Sequence, residues 1–231
     1  MKPIIEFKNV TKEYELGGEK VKALDDVSFK IGKKELVGIL GTSGSGKSTL
    51  MHMVGLLDVP SKGKLIIDGK DISKLTDDEI STLRNQKLGF VFQQFNLINN
   101  LTVLENILLP TIYTRKKLKY NPKEKALEII ERFGLKGKET SYPNRISGGQ
   151  QQRVAMARSL IMTPDLILAD EPTGNLDTKS GKEILKLLIE LNIQEKITVI
   201  IVTHDQYVAD ITKRQIKIID GEVVWDILYL F

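Results

Sequence analysis

The sequence predicts an α/β protein in which a parallel core carries a β-rich lobe and an inserted helical lobe, and three observations lead to this prediction. A short apolar run at 36–40 precedes the glycine-rich residues 41–49, and a helical pattern follows them. Residues 1–40 alternate apolar and polar side chains between glycine turns, as antiparallel strands do. After residue 164 strand and helix patterns alternate, which is typical of a parallel sheet.

Apolar spacing and turn residues justify the individual elements. Short apolar or alternating runs predict strands at 4–10, 27–31, 36–40, 65–67, 88–92, 166–169, 197–202 and 216–219. Helical spacing predicts helices at 50–57, 103–109, 123–133 and 181–191. We predict a single domain over 1–231, with a β-rich core that includes the glycine-rich residues 41–49 at about 1–94 and 164–231 and the helical lobe at about 95–163.

The composition excludes several classes of function. The net charge of +4, from 34 basic and 30 acidic residues, does not indicate a nucleic-acid partner. The absence of cysteine excludes disulfides, thiolate catalysis and cysteine-ligated metals, and the two histidines argue against a histidine-rich metal site. Neither a long apolar run nor a signal-peptide pattern is present in this sequence, so we expect a cytoplasmic protein.

Residues 41–49 match the pattern G-x-x-x-x-G-K-[ST], which cradles the phosphates of a nucleoside triphosphate. The residues of this phosphate loop are Gly41, Thr42, Ser43, Gly44, Ser45, Gly46, Lys47, Ser48 and Thr49. Its glycines let main-chain N–H groups approach phosphate oxygens at a helix N-terminus, where unpaired donors and the helix dipole favour an anion. Lys47 adds a positive charge for the β- and γ-phosphates, and Ser48 offers Mg²⁺ a hydroxyl oxygen.

Two acidic residues, Asp170 and Glu171, follow the apolar run 166–169 directly. A carboxylate at the end of a buried strand near a phosphate loop can hold Mg²⁺, usually through a water. A second carboxylate beside it can polarise the water that attacks the γ-phosphate. We therefore predict Asp170 as a metal residue and Glu171 as the general base, against the alternative of two solvent-facing acids at a strand end.

A second glycine-rich stretch, Ile146-Ser147-Gly148-Gly149-Gln150, leads into another predicted helix. In this stretch the chain resembles the ATP-binding cassette (ABC) ATPases, whose signature is Leu-Ser-Gly-Gly-Gln, with Ile146 in place of leucine. The resemblance implies a P-loop NTPase (RecA-like) core of the ABC type. It also implies that Ser147, Gly148, Gly149 and Gln150 of one subunit close on the ATP held by the phosphate loop of a second subunit.

The remaining family elements match in order along nearly the whole chain. By resemblance, Tyr14 stacks on adenine, although packing in the β-rich lobe is the alternative for this residue. Gln93 resembles the glutamine that senses Mg²⁺ and the attacking water, with Gln94 as the alternative. Asp177 resembles the residue that contacts the opposite subunit, and His204 resembles the histidine that binds the γ-phosphate. His52 is given no role.

The resemblance implies an ATPase that uses ATP and Mg²⁺ and works as a two-fold sandwich of two ABC subunits. The residues around 92–98 and 172–177 look like the branch that serves lipoprotein release and macrolide-type export. We therefore expect an integral membrane permease as partner, a location on the inner face of the membrane, and no nucleic-acid partner. A signalling cassette of cell-division type and a soluble ABC ATPase remain as alternatives.

Two segments of the sequence, one basic and one apolar, each allow two interpretations. A basic segment, Arg115, Lys116, Lys117, Lys119, Lys123 and Lys125, is typical of a solvated loop and helix start, or of a surface near anionic lipid. The apolar tail 223–231 predicts a last strand plus a helix packed on the core, or an exposed patch for a partner.

Overall fold

The structure, a computed structural model, describes residues 3–115 and 117–229. Lys116 of the basic segment and Leu230 and Phe231 of the tail lie outside the described residues. The strands are β1 Pro3–Leu16, β2 Glu19–Gly32, β3 Leu36–Leu40, β4 Lys62–Ile67, β5 Lys70–Asp71, β6 Leu88–Val91, β7 Leu166–Asp170, β8 Thr198–Thr203, β9 Arg214–Ile219 and β10 Glu222–Leu228. The α-helices are α1 Lys47–Val54, α2 Asp77–Lys87, α3 Val103–Ile112, α4 Pro122–Arg132, α5 Gly148–Leu160, α6 Thr178–Gln194 and α7 Gln206–Asp210.

The described residues divide into two compact units, one drawn from 1–81 and 191–231 and the other from 82–190. The predicted limits of the helical lobe, 95 and 163, both fall inside the second unit. The assignment of a β-rich core and an inserted helical lobe stays a prediction. Among the described residues, no helix has the length and apolar character needed to cross a membrane.

The first unit contains an antiparallel sheet in the order β2-β1-β4-β5. The long strands β1 and β2 form a hairpin whose loop is Gly17-Gly18, with φ values of +60° and +87° that glycine adopts without steric cost. Alternating apolar side chains of this sheet are buried, and the rings of Phe7 and Phe29 stack with centroids 4.6 Å apart. The period-2 pattern thus gives the sheet one apolar face.

The first unit also contains the parallel strands that carry the phosphate loop. β3 lies between β8 and β9 and is parallel to both, while β10 pairs with β9 in the antiparallel sense. Every residue of β3 and β8 is buried, as expected for parallel strands covered on both faces. Leu40 pairs with Thr203, so both strands end at the same edge of the sheet.

The second unit combines two parallel strands with helices. β6 and β7 pair in register from Leu88 with Leu166 to Val91 with Ala169. α3 begins with a capping box between Thr102 and Glu105, and α4 begins after Asn121, whose side chain accepts from the backbone N–H of Lys123. Helix α5 packs against both α3 and β6.

The structure confirms the predicted strands and helices and extends several of them, but the helix predicted at 50–57 begins at Lys47 and already ends at Val54, before Gly55. Helix α2 was not predicted. Leu83 is the single residue of this helix that is buried, so its sequence shows little apolar periodicity. The helix predicted in the tail is wrong within the described residues: Glu222–Leu228 is strand β10, and Val224, Ile227 and Leu228 are 48%, 42% and 59% exposed. Asp226, Ile227 and Leu228 are consecutive and all exposed, so side chains on both faces of this end of the strand are uncovered among the described residues.

In the basic segment, Lys117, Lys119 and Lys123 are exposed, as a solvated surface predicts. Lys125 differs, because its ammonium lies 4.2 Å from the centroid of the Tyr120 ring. That contact is a cation–π interaction within the second unit.

Candidate functional site

The phosphate loop of the first unit connects the end of β3 to the start of α1. Helix α1 begins at Lys47, and Gly46, its N-cap, has φ +100° and supplies no capping side chain. The N–H groups of the first helical turn therefore lack intrahelical acceptors. Thr42, Ser43 and Gly44 are exposed above them, so the mouth of the loop is accessible. This arrangement suits an anion.

At two positions of the loop, Gly41 and Gly46, neighbouring atoms lie so close to the backbone that there is no room for a side chain. A Cβ at Gly41 would lie 2.4 Å from Oγ of Ser45 and 2.5 Å from the carbonyl oxygen of Ile218. A Cβ at Gly46 would lie 2.5 Å from the carbonyl oxygen of Ala23. Any larger residue at either position would push the loop away from the strands beneath it.

Lys47 and Ser45 mark the interior of the loop. Nζ of Lys47 donates to the carbonyl oxygens of Gly41 and Thr42, each at 2.7 Å, so the ammonium lies over the loop. Ser45 is 2% exposed, and its Oγ has no hydrogen-bond partner among the described residues. A buried hydroxyl of this kind needs an outside partner, such as a phosphate oxygen or a water.

Tyr14 lies on β1, and its ring is fixed by polar neighbours. Its hydroxyl donates to Oδ2 of Asp58 at 2.7 Å, and Lys12 forms an ion pair with the same carboxylate. Burial and then the hydrogen bond to Asp58 raise the pKa of the Tyr14 hydroxyl. Burial alone would raise the pKa of Asp58, but the hydrogen bonds from Lys12 and Tyr14 outweigh it and lower that pKa.

His204 follows β8 directly, as Gly41 follows β3. Because Leu40 pairs with Thr203, His204 and the first loop residue leave neighbouring strands at the same edge of the sheet. His204 is exposed, and the next residue, Asp205, caps α7 by accepting from the N–H of Tyr207 at 2.9 Å. His52 lies on the exposed side of α1.

In the second unit, Gln93 and the two acidic residues lie at one edge of the β6–β7 pair. Val91 pairs with Ala169, so Gln93 and Glu171 each come two residues after a paired position. Gln93 is half-buried whereas Gln94 is exposed, which favours Gln93 for the predicted role. The side chain of Asn175 donates to the carbonyl oxygen of Gln93 at 3.0 Å, tying together the segments that follow the two strands.

Glu171 has a left-handed backbone, with φ +42°. This region is uncommon for a residue with a side chain and persists where neighbouring contacts fix it. The N–H of Gly174 donates to the carbonyl oxygen of Glu171 at 3.0 Å. Asp170 and Glu171 are both half-buried, so their carboxylates remain within reach of water.

The signature residues form the N-terminus of α5. Ser147 is the N-cap, its Oγ accepts from the N–H of Gln150 at 3.3 Å, and Oε1 of Gln150 accepts from the N–H of Ser147 at 3.0 Å. Ser147 is exposed, and a Cβ at Gly149 would lie 2.9 Å from Oγ of Ser180. The capping box therefore presents a second small-residue helix start to solvent.

Asp177 caps the next helix. Its Oδ1 accepts from the N–H groups of Lys179 and Ser180, both at 3.0 Å, in the first turn of α6. Hydrogen bonds from the side chain and backbone of Ser180 lower the pKa of Asp177. The predicted contact of Asp177 with an opposite subunit is a separate role that stays a prediction.

The residues predicted for Mg²⁺ suit that ion chemically. Mg²⁺ is usually held by one or two carboxylates together with substrate phosphates and waters, and not by an all-protein cage. Among the described residues there is no cluster of three or more His, Asp or Glu side chains. Ser48, Asp170 and Gln93 each offer an oxygen donor that is exposed or half-buried.

Sequence reasoning missed two residues that support the site. Asp58, which holds Tyr14, carries no local signal beyond its position after α1. Gln152 is fully buried on α5 and hydrogen-bonds the backbone beside Gln93 and Glu171. A glutamine two residues before the apolar run 154–157 was the available signal.

Comparisons with known proteins agree with these features. The profile of the ABC transporter family matches residues 24–174. An uncharacterized ABC transporter ATP-binding protein, MJ0796 of Methanocaldococcus jannaschii, is 47% identical over 95% of this chain and 95% of its own length. A macrolide export ATP-binding/permease protein MacB of Chlorobaculum tepidum is 50% identical over 96% of this chain. The chain spans about a third, 34%, of that protein.

Solved structures match the whole fold. A dimeric structure of the ATP-binding cassette MJ0796 in a post-hydrolysis state, bound to ADP and Pi, aligns with a TM-score of 0.89 and 44% identity. The alignment covers 98% of this chain and 99% of that one. CbiO1 from Clostridium perfringens, part of an ABC transporter complex, aligns with a TM-score of 0.86 and 28% identity.

Proposed function

We propose that this chain, which belongs to the ABC transporter family and is one of its ATPases, drives a membrane permease by ATP-dependent closure of two cassettes. One observation carries the proposal. The chain presents two helix N-termini built from small residues, the phosphate loop at α1 and the Ser147 turn at α5. A single nucleotide needs one such element, so the second is explained if it serves the nucleotide of a partner subunit.

In this proposal the phosphate loop binds ATP through its backbone N–H groups. Lys47 exchanges its carbonyl acceptors for the β- and γ-phosphate oxygens, and the buried hydroxyl of Ser45 gains an acceptor or donor. Tyr14 contributes an aromatic face to the adenine ring, and the bond to Asp58 holds that face in place.

Hydrolysis requires a water and compensation of charge on the γ-phosphoryl group. Glu171 orients the water and accepts its proton as general base. Lys47 and His204, together with Ser147 and the N–H groups of α5 from the partner, stabilise the developing negative charge. Ser48, Asp170 and Gln93 would hold Mg²⁺, which supplies positive charge beside the phosphates.

The cassette partner is proposed to be a second copy of this chain. The MJ0796 structures are dimeric, and one of them holds ADP and Pi. In the proposed dimer the phosphate loop of one copy faces the signature of the other, and a two-fold, isologous interface forms this contact twice. ATP binding then draws the cassettes together, and hydrolysis with phosphate release lets them reopen.

The membrane partner is proposed to be a permease of export or lipoprotein-release type. The MacB relative, whose name couples ATP binding to a permease, supports this assignment. The described residues contain no membrane-spanning helix. The proposed permease, which the name of the MacB relative supports, would place this chain on the inner face of the membrane.

The replacement Glu171→Gln tests the cassette mechanism. It removes the general base and leaves the nucleotide-binding residues in place, so ATP should bind without being turned over. We expect a dimer with saturating ATP and Mg²⁺, measured by light scattering after size exclusion, and turnover reduced by about 100-fold or more.

Glu128→Gln is the matched control, because Glu128 is an exposed residue of α4 in the same unit. It should retain wild-type turnover and should not accumulate the ATP-bound dimer. A Glu171→Gln protein that stays monomeric with saturating ATP would contradict the sandwich model.

A further inference from the structure

Gln152 occupies a position unlike that of the other glutamines beside the signature. Its side chain is fully buried at the second turn of α5. Nε2 donates to the carbonyl oxygen of Pro172 at 2.6 Å and to that of Phe92 at 3.4 Å. One amide therefore binds the backbone immediately after Glu171 and immediately before Gln93.

The orientation of this amide follows from its neighbours. Reversing it would point Oε1 at two carbonyl oxygens, which are acceptors only. In the orientation observed, Oε1 has no hydrogen-bond partner among the described residues. Leaving a buried acceptor unsatisfied costs free energy, so the two donated bonds set the side chain's position at the expense of Oε1.

The segment that Gln152 holds is conformationally demanding. Glu171 has φ +42° and precedes Pro172, which disfavours the right-handed helical region for the residue before it. Such a backbone persists only where several contacts fix it. Two of these contacts are the hydrogen bond from the Gly174 N–H to the Glu171 carbonyl and the one from the Gln152 amide to the Pro172 carbonyl.

We propose that Gln152 is a positioning residue that aligns Glu171 and Gln93 for hydrolysis by fixing the backbone after β7 and after β6. The inference rests on the proposed roles of Glu171 and Gln93. Because Gln152 lies on the helix that begins with the signature Ser147, it also connects the partner-facing helix start to the two loops of its own subunit. A displacement of the general base by about 1 Å is enough to lower turnover on the order of 100-fold.

Gln152→Met tests this role, because methionine has a similar volume and no donor. We expect kcat to fall about 10-fold to 100-fold while KM for ATP stays within about twofold, since positioning of the water is lost and nucleotide contacts are kept. Hydrogen exchange measured on the folded protein without ATP should become faster at the Gly174 amide.

Gln215→Met is the matched control. Gln215 is 2% exposed, donates from Nε2 to the Ala209 carbonyl at 3.0 Å, and likewise has an Oε1 without a partner among the described residues. It should lose thermal stability to a similar degree and retain wild-type kcat. Equal losses of kcat in the two variants would overturn the positioning role.

The pH dependence of activity in Gln152→Glu tests the positioning role in a way that a purely structural role of Gln152 would not affect. A protonated carboxyl can donate to the Pro172 carbonyl, whereas a carboxylate cannot. The activity of this variant relative to wild type should therefore rise as pH falls from about 9 to about 6, since burial raises the pKa of a carboxyl group. A ratio that does not change with pH would contradict the inference.

The failure of this inference and the failure of the proposed function are distinguishable. If wild type hydrolyses ATP and Gln152→Met matches it in kcat and in exchange at Gly174, the inference is wrong and the proposed function stands. If wild type does not hydrolyse ATP, the proposed function is wrong, and the exchange measurement still decides whether Gln152 fixes the segment.

Discussion

Tyr14 and Asp58 lie 44 positions apart and are joined by a hydrogen bond of 2.7 Å from the phenol to the carboxylate. Lys12 binds the same carboxylate, and its ammonium lies 4.9 Å from the centroid of the Tyr14 ring. These contacts fix the ring on β1 before any nucleotide binds. Pre-organisation of this kind lowers the cost of binding, because the ring does not have to be ordered by the ligand.

Breaking the hydrogen bond between Tyr14 and Asp58 should weaken ATP binding without changing the rate of the hydrolysis step. We expect Tyr14→Phe and Asp58→Ala each to raise KM for ATP about threefold to tenfold, since one hydrogen bond of about 1 kcal/mol is lost. The double variant should be no worse than Asp58→Ala, because Tyr14→Phe removes only a bond that Asp58→Ala has already removed. Steady-state ATPase assays measure these values.

Glu15→Ala is the control for the pair, because Glu15 is the neighbouring exposed residue on β1. Its KM should equal that of wild type. Strictly additive effects of Tyr14→Phe and Asp58→Ala would show that the hydrogen bond does not position the ring.

The two types of glycine in the first unit should respond differently to alanine. At Gly41 the added methyl group would meet Ser45 Oγ and the Ile218 carbonyl, so the loop must move. At Gly17 nothing lies within 4 Å, and the cost comes from φ +60° alone, on the order of 1 kcal/mol. We expect Gly41→Ala to reduce affinity for a fluorescent ATP analogue about 10-fold or more, because the N–H groups are displaced.

Gly17→Ala should bind the analogue as wild type does, with a slightly lower melting temperature. Unchanged nucleotide affinity in Gly41→Ala would mean that the loop tolerates the methyl group. The N–H groups would then not be placed by the close packing at Gly41.

The two histidines of the sequence, His52 and His204, can be compared to test whether the position of His204 beside the phosphate loop matters for hydrolysis. His204 follows the residue that pairs with Leu40, whereas His52 lies on the exposed side of α1. We expect His204→Ala to lower kcat about 10-fold to 1,000-fold, as removal of one group that stabilises transition-state charge does. His52→Ala should keep wild-type kcat in the same assay. Equal activity of the two variants would remove His204 from the mechanism.

The local parts of the site were predictable from the sequence because their signals are contiguous. The phosphate loop, its preceding strand and its following helix form one stretch, and the acidic pair stands at the end of a buried strand, where Asp170 is the last residue of β7 and Glu171 follows it. The family resemblance then supplied roles for isolated residues such as His204. Helix α2 had no comparable signal, since it buries little apolar surface.

The supporting contacts were not predictable because they join distant parts of the chain. Gln152 reaches carbonyls 60 and 20 positions away, and neither contact has a local sequence pattern. The tail shows a related limit: its apolar residues left packing on the core and an exposed patch as alternatives, and in strand β10 Val224, Ile227 and Leu228 are exposed. Hydrophobicity alone does not say which face of a strand is covered.

Asp177 caps helix α6, and substitutions at this residue can separate an effect on folding from an effect on dimer formation. An asparagine oxygen can accept the same N–H bonds from Lys179 and Ser180, whereas alanine cannot. Asp177→Ala should therefore melt a few °C below wild type, and Asp177→Asn should melt close to it.

The pH dependence of this difference has a defined sign. Because hydrogen bonds from Ser180 lower the pKa of Asp177 in the folded state, its stabilising contribution is present above the ordinary carboxyl pKa. That contribution is lost as pH falls through the lowered value, so the melting temperatures of wild type and Asp177→Ala should converge in acid. If the charge also serves the partner subunit, Asp177→Asn in the Glu171→Gln background should fold normally and dimerise weakly with ATP. An Asp177→Asn protein as unstable as Asp177→Ala would show that capping is not what Asp177 contributes.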